Sequence, residues 1–196
     1  MLKKQDIIDI TKTGITLFLI TAISALVLAV VNSYTSGIIE KNTQQKQAEA
    51  MNKVIKDAKE FLEVEIKTDA TSSFYVPAKS VYEAKNENGE TTGYAVLVSE
   101  NGYGGEISMV VGVDNDLIVT GISIISQSET PSLGAKCTDP DFQNQFIGKT
   151  KDLTVVKNGA KNNQVDAISS ATITSKAVTE GVNQAINIVE YIKGDK

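Results

Sequence analysis

Histidine, arginine and tryptophan are absent from this 196-residue chain, and cysteine occurs once, at Cys137. Without histidine there is no Ser-His-Asp triad, no histidine-ligated haem and no histidine-based zinc site. A single cysteine excludes a four-cysteine iron–sulfur cluster, a CxxC redox pair and an intrachain disulfide. Any redox chemistry therefore falls to an organic cofactor. Positive charge is also short: 19 lysines against 24 acidic residues leave a net charge of −5. Nucleic acid, which needs a basic surface, is not an expected partner. The balance, 41% hydrophobic and 22% charged, suits one globular domain with a short appendage.

The appendage is apolar. From Ile15 to Val31 only Thr16, Thr21 and Ser24 are polar, and no charge falls between Thr13 and Ile39. At ~1.5 Å per residue this run approaches the ~30 Å hydrocarbon core of a bilayer. Its hydroxyls are tolerable there because they can bond back to helix carbonyls. The expectation is an uncleaved single-pass anchor. The alternative is a cleaved leader, with a mature start near Tyr34. Lys3, Lys4 and Lys12 precede the run and Lys41 and Lys46 follow it. That asymmetry puts the N-terminus in the cytoplasm and the rest of the chain on the outer face.

Beyond the anchor, Met51, Val54, Ile55, Ala58, Phe61 and Leu62 recur at helical spacing, so Gly37–Glu63 reads as an amphipathic helix. Four strands follow as an antiparallel meander: Ser80–Lys85, Gly93–Ser99, Glu106–Val113 and Leu117–Ser126. Thr138 or Asp139 before Pro140 starts a helix that runs to Phe146 and stops at Gly148. Leu153–Lys157 and Val165–Ile168 read as short strands. A last helix, about Thr174 to Ile192, carries Val178, Val182, Ala185, Ile186 and Val189 on one face. The fold class is α+β: one membrane-spanning helix, then a mixed, mainly antiparallel sheet with packed helices.

The stretch with most chemical content is Asp166-Ala167-Ile168-Ser169-Ser170-Ala171-Thr172-Ile173-Thr174-Ser175. It lies where a short strand meets a helix N-terminus. Small and hydroxyl residues leave the first-turn amides approachable, and the helix dipole favours an anion. A phosphate-binding corner is one reading; helix capping by Ser or Thr is the other.

The same stretch resembles the flavinylation motif of FMN-binding domains, Asp-x-x-Ser/Thr-Gly-Ala-Thr followed by x-Thr-Ser. Asp166 matches the opening Asp and Thr172 the last Thr, while Ser170 stands where the family usually has Gly. Such domains occur in the G subunit of the Rnf-type ferredoxin–NAD oxidoreductase complex and the C subunit of the sodium-pumping NADH–quinone reductase. Glu129-Thr130-Pro131-Ser132-Leu133-Gly134 resembles the family's flavin loop, again with Ser132 for Gly. Gly102-Tyr103-Gly104-Gly105 and Phe146-Ile147-Gly148-Lys149 resemble two further segments.

The resemblance implies a division into residues 1–36 (cytoplasmic stub and span), 37–64 (connecting helix) and 65–196 (FMN-binding domain). It implies FMN held covalently, through its phosphate, by Thr172. Ser169, Ser170 and Ala171 belong to the phosphate corner, and Thr174 and Ser175 would cap the helix, with both able to face the phosphate. Leu133 and Tyr103 would bed the ring, Thr130 and Gly134 would offer polar contacts, Glu129 opens the flavin loop, and Lys149 (or Lys136) would add charge. The implied function is a membrane-anchored electron-transfer subunit with no acid–base site of its own. Its partners would be other subunits of the complex, a flavin transferase during maturation, and the lipid bilayer. Two alternatives stand beside it: the C subunit of the quinone reductase, and a non-redox scaffold of a membrane assembly.

Overall fold

The computed structural model describes residues 4–65 and 78–194, so the first three residues of the expected stub and the start of the expected domain lie outside them. Contacts divide the chain into two units, Met1–Gln45 and Lys46–Lys196. The first is helical. Helix α1 (Lys4–Val54) carries an apolar stretch long enough to cross a membrane, with none of it buried. Leu17, Phe18, Leu26 and Leu28 are all exposed, which in water is unfavourable and in lipid is not. Thr16 and Thr21 donate to the carbonyls of Lys12 and Leu17 at 2.9 and 3.0 Å, so their hydroxyls need no other partner.

The second unit is built on an antiparallel sheet of β1 (Glu60–Val64), β2 (Ala78–Lys85), β3 (Thr91–Asn101), β4 (Glu106–Asp114) and β5 (Val119–Ser126), in that order. The sheet thus has one strand more than the meander read from the sequence. Helical spacing places Phe61 and Leu62 on a helix, but α1 ends at Val54 and a turn at Lys56–Asp57 breaks the stripe. The Lys59 amide then donates to the Lys85 carbonyl at 2.7 Å and draws Phe61 opposite Ala84. Ladder pairing here wins over helical spacing.

Near-continuous burial along β3 and β4 has a simple cause: both faces of the sheet are covered. Tyr94, Val96, Val98, Met109 and Val111 join Val178, Val182, Ile186 and Val189 of helix α3 (Thr172–Gly194) in the larger core. Ala95, Leu97 and Val110 face the other way and meet Ala50, Val54 and Ile55. Gly112 and Gly121 are cross-strand partners on that side. A Cβ on Gly112 would lie 2.9 Å from Val54, so the pair forms a notch for that side chain. The Thr120 hydroxyl closes it by donating to the Val54 carbonyl at 2.7 Å.

The segment after β5 is less helical than expected. It forms a 3-10 turn (Gly134–Thr138), one turn of helix α2 (Pro140–Gln143) and a second 3-10 turn (Asn144–Phe146). Asp139 precedes Pro140, but neither it nor Thr138 caps α2: the Thr138 hydroxyl turns back to the Ala135 carbonyl. Strands β6 (Thr154–Val156) and β7 (Gln164–Asp166) pair in parallel as a separate small sheet, which is where the mixed character resides.

Candidate functional site

Helix α3 begins at Thr172, two residues earlier than the apolar periodicity suggests. Ala171 is buried and its carbonyl accepts the first helical bond, from the Ser175 amide at 3.0 Å. The amides of Thr172, Ile173 and Thr174 therefore stand ahead of the ladder, at the positive end of a 23-residue helix. The three hydroxyls of this turn take different directions. Thr172 is exposed, whereas Thr174 and Ser175 are buried. Ser175 accepts from the Ile168 amide and donates to the Ala171 carbonyl, both at 2.9 Å, and so ties the preceding loop to the helix.

Thr174 donates to Oε2 of Glu129, a carboxylate only 6% exposed. The other oxygen, Oε1, accepts from the Gly104 amide at 2.8 Å. One side chain thus joins the loop after β5, the β3–β4 turn and the first turn of α3. Its neighbours are glycines for steric reasons. A Cβ at Gly102 would fall 2.9 Å from Glu129 Cδ, and one at Gly134 would fall 2.7 Å from Thr174 Oγ1. The family resemblance puts Glu129 in the flavin loop. Both its oxygens are engaged by the protein, and the side chain lines the cavity as well.

These three segments enclose a cavity of about 490 Å³, within the usual range for a small-molecule site. Tyr103, Thr130, Leu133, Gly134, Ser170, Ala171 and Thr172 line it together with Glu129 and Thr174. Ile173, not among the residues expected from the sequence, lines it too and is 54% exposed. The signal in the sequence is an isoleucine set between the two threonines of the motif. Ser175 lies behind the wall. Ser169 faces a separate shallow depression with Asp166, Asp139 and Lys136. Asp166 holds its own loop by accepting the Ala160 amide at 2.9 Å. Lys149, expected as a charge for a phosphate, lies away from the cavity and donates its ammonium to the Asn162 carbonyl. No lysine among the described residues lines the cavity, so an anion there would rest on the helix amides.

The two serines that replace glycines of the resembled motifs both have left-handed backbones: φ is 62° at Ser170 and 64° at Ser132. A side chain there costs about 1–2 kcal/mol, and glycine's extra unfolded-state freedom offsets part of any relief. Ser170→Gly and Ser132→Gly are each expected to raise Tm by about 2 °C, measured by thermal unfolding of the full chain.

Cys137 sits in the 3-10 turn behind the cavity and is fully buried. Burial, then the nearby Glu129 charge, pushes its thiol up to about 11. The thiolate is the reactive form, so iodoacetamide at neutral pH is expected to leave native protein unmodified while labelling denatured protein fully. The folded value lies above the ordinary 9.0, so the contribution of this thiol to stability is fully present below pH 9. That contribution is lost as pH rises from there towards 11.

Residues 102–187 match the FMN-binding domain family, and residues 1–54 match the RnfG N-terminal region. The chain is 38% identical over 192 residues to the G subunit of the Na(+)-translocating ferredoxin:NAD(+) oxidoreductase complex of Acetobacterium woodii, with 92% of each chain covered. It is 34% identical over 195 residues to the G subunit of the ion-translocating oxidoreductase complex of Methanosarcina acetivorans, covering 97% of this chain and all of that one. Among solved structures, the C subunit of the Na(+)-translocating NADH-quinone reductase from Parabacteroides distasonis is similar, with a TM-score of 0.55 and 28% identity. That match covers 78% of this chain and 92% of the other.

Proposed function

The chain belongs to the G-subunit family of Rnf-type ion-translocating oxidoreductase complexes, and on that premise we propose that it is a membrane-anchored electron-transfer protein with FMN esterified through its phosphate to Thr172. The observation that carries this reading is Thr172, the exposed first residue of α3, at a cavity whose other threonine of the motif, Thr174, is occupied by Glu129. Thr172 would hold the phosphate, and the amides and dipole of the first turn would offset its charge. Leu133, Tyr103 and Ile173 offer the apolar and aromatic bed that a flavin ring needs. Bound there, a flavin supplies one- and two-electron chemistry, and the protein's part is position and docking. No side-chain acid or base is required.

The match of residues 1–54 to the RnfG N-terminal region favours the Rnf reading over the quinone-reductase one. The lysine asymmetry about the span supports a domain on the outer face, where a tethered cofactor cannot be lost by diffusion. A flavin transferase would act once, in maturation. Mass spectrometry of the full chain made with that transferase is the test. A mass increase of FMN less one water, mapped to the peptide holding Thr172, is expected. Bare polypeptide mass would overturn the reading.

A further inference from the structure

Among the described residues that line the cavity beside Thr172, one side chain bears a formal charge, the carboxylate of Glu129. It is buried, and it is fixed in place. Oε1 accepts from the Gly104 amide at 2.8 Å and Oε2 from the Thr174 hydroxyl. The Glu129 amide in turn donates to the Gln127 side chain at 2.6 Å. A Cβ on Gly104 would stand 3.2 Å from Glu129 Cα, and one on Gly134 would stand 2.8 Å from Glu129 Cβ, so the side chain is packed as well as bonded.

No lysine of the cavity wall answers this charge. Lys136 faces the separate depression with Asp139 and Asp166, and Lys149 is engaged with the Asn162 carbonyl. The charge is felt behind the cavity too: after burial, it is the next cause of the raised Cys137 thiol. What opposes it is the N-terminus of α3, equivalent to about half an elementary charge. A phosphate ester on Thr172 would lean on that same half charge. A carboxylate and a phosphodiester together outweigh it, so the field in the cavity is negative. Near a buried carboxylate the dielectric is lower than in water, and such a field acts strongly on any further charge.

We propose that the Glu129 carboxylate sets the reduction potential of the flavin, holding it low by opposing the negative charge that an incoming electron brings. The inference rests on the FMN reading above and deepens it. In the step concerned, a reduced carrier of a neighbouring subunit loses one electron and the flavin gains one, and no bond of the chain is made or broken. The oxidised ring is neutral; the added electron makes it one unit more negative unless a proton follows. Glu129 raises the free energy of that product more than that of the starting ring, as fixed charge beside a flavin does. A flavin so placed is a stronger reductant than the same flavin without the charge.

The brace and the charge are separable. Glu129→Gln keeps the shape and one acceptor oxygen but removes the charge. Thr174→Val removes the bond to the brace and keeps the charge. The test is spectroelectrochemical titration of the full chain, made with the flavin transferase and held in detergent. Glu129→Gln is expected to shift the one-electron equilibrium about tenfold towards reduced flavin, a rise of about 59 mV. Thr174→Val is expected to stay at or below the wild-type potential, whereas a purely structural role for Glu129 would move both variants together. A potential at or below wild type in Glu129→Gln, or an equal rise in the two variants, overturns the proposal. So does a Glu129→Gln chain without flavin beside a loaded wild type, because the side chain then holds the ring instead of poising it. Wild-type protein that carries flavin without a covalent bond would show that the attachment at Thr172 fails, and the potentials would still decide the role of Glu129. Wild-type protein that takes up no flavin by either route overturns both.

Discussion

Thr172→Ala is expected to remove all covalent flavin from the protein while leaving it folded: the chain should run at its polypeptide mass and without fluorescence in a denaturing gel. The substitution removes a hydroxyl whose residue is exposed, and exposed positions outside a core cost little stability, within about 0.5 kcal/mol. Two companions sharpen the result. Thr172→Ser keeps an oxygen at the same place on the first turn and should retain label. Thr174→Val removes the neighbouring hydroxyl, yet the label is expected to stay on residue 172, because Thr174 is buried and engaged with Glu129. Label lost from Thr174→Val with the fold intact, or kept in Thr172→Ala, would reverse the assignment of the two threonines.

The second large effect concerns stability. Glu129→Ala leaves the Gly104 amide and the Thr174 hydroxyl without their acceptor in a buried site. At about 1–3 kcal/mol for each stranded polar group, a loss of about 3 kcal/mol is expected. For a unit of this size that lowers Tm by about 6–12 °C. Glu129→Gln keeps one acceptor oxygen and should cost about 1 kcal/mol. Because Glu129 and Thr174 share one bond, the double variant Glu129→Ala/Thr174→Val should be markedly less damaging than the sum of the singles. Additivity of the two would show that the bond between them contributes nothing. FMN loading of Glu129→Ala should also fall, since three loops lose their common anchor. Calorimetry of the full chain in detergent, with flavin absorbance on the same sample, reads both.

Much of the fold is legible in the residues alone. The antiparallel strands β2 to β5 show as β-branched runs punctuated by Asn-Gly and Asp-Asn turns, and α3 shows as an apolar stripe, because short-range propensity and long-range packing agree there. They disagree at Phe61 and Leu62. The helical spacing of those two residues continues from Val54, but an unpaired edge on β2 offers a ladder, and pairing is a tertiary fact that local periodicity does not carry. The site is half legible for the same reason. Thr172, Ser170, Leu133 and Gly134 lie in recognisable segments, and the fold brings them to one cavity. That Glu129 ends as a brace depends on which way a loop turns. That Lys149 reaches the Asn162 carbonyl instead of the cavity depends on a contact between two loops. Neither leaves a trace in residue type. The backbone at Ser132 and Ser170 is foreshadowed only by the family's glycines, since serine itself has no preference for positive φ.

The concealment of Thr174 has a bearing on how the protein matures. At this motif an unfolded chain offers two threonines, two residues apart, to a modifying enzyme. The folded motif offers one, Thr172. With the proposed attachment at Thr172, and an enzyme that acts on the finished domain, the colour of the mature protein would double as a certificate of its fold, and chains that stall before the β5 loop closes over α3 would stay pale and distinguishable.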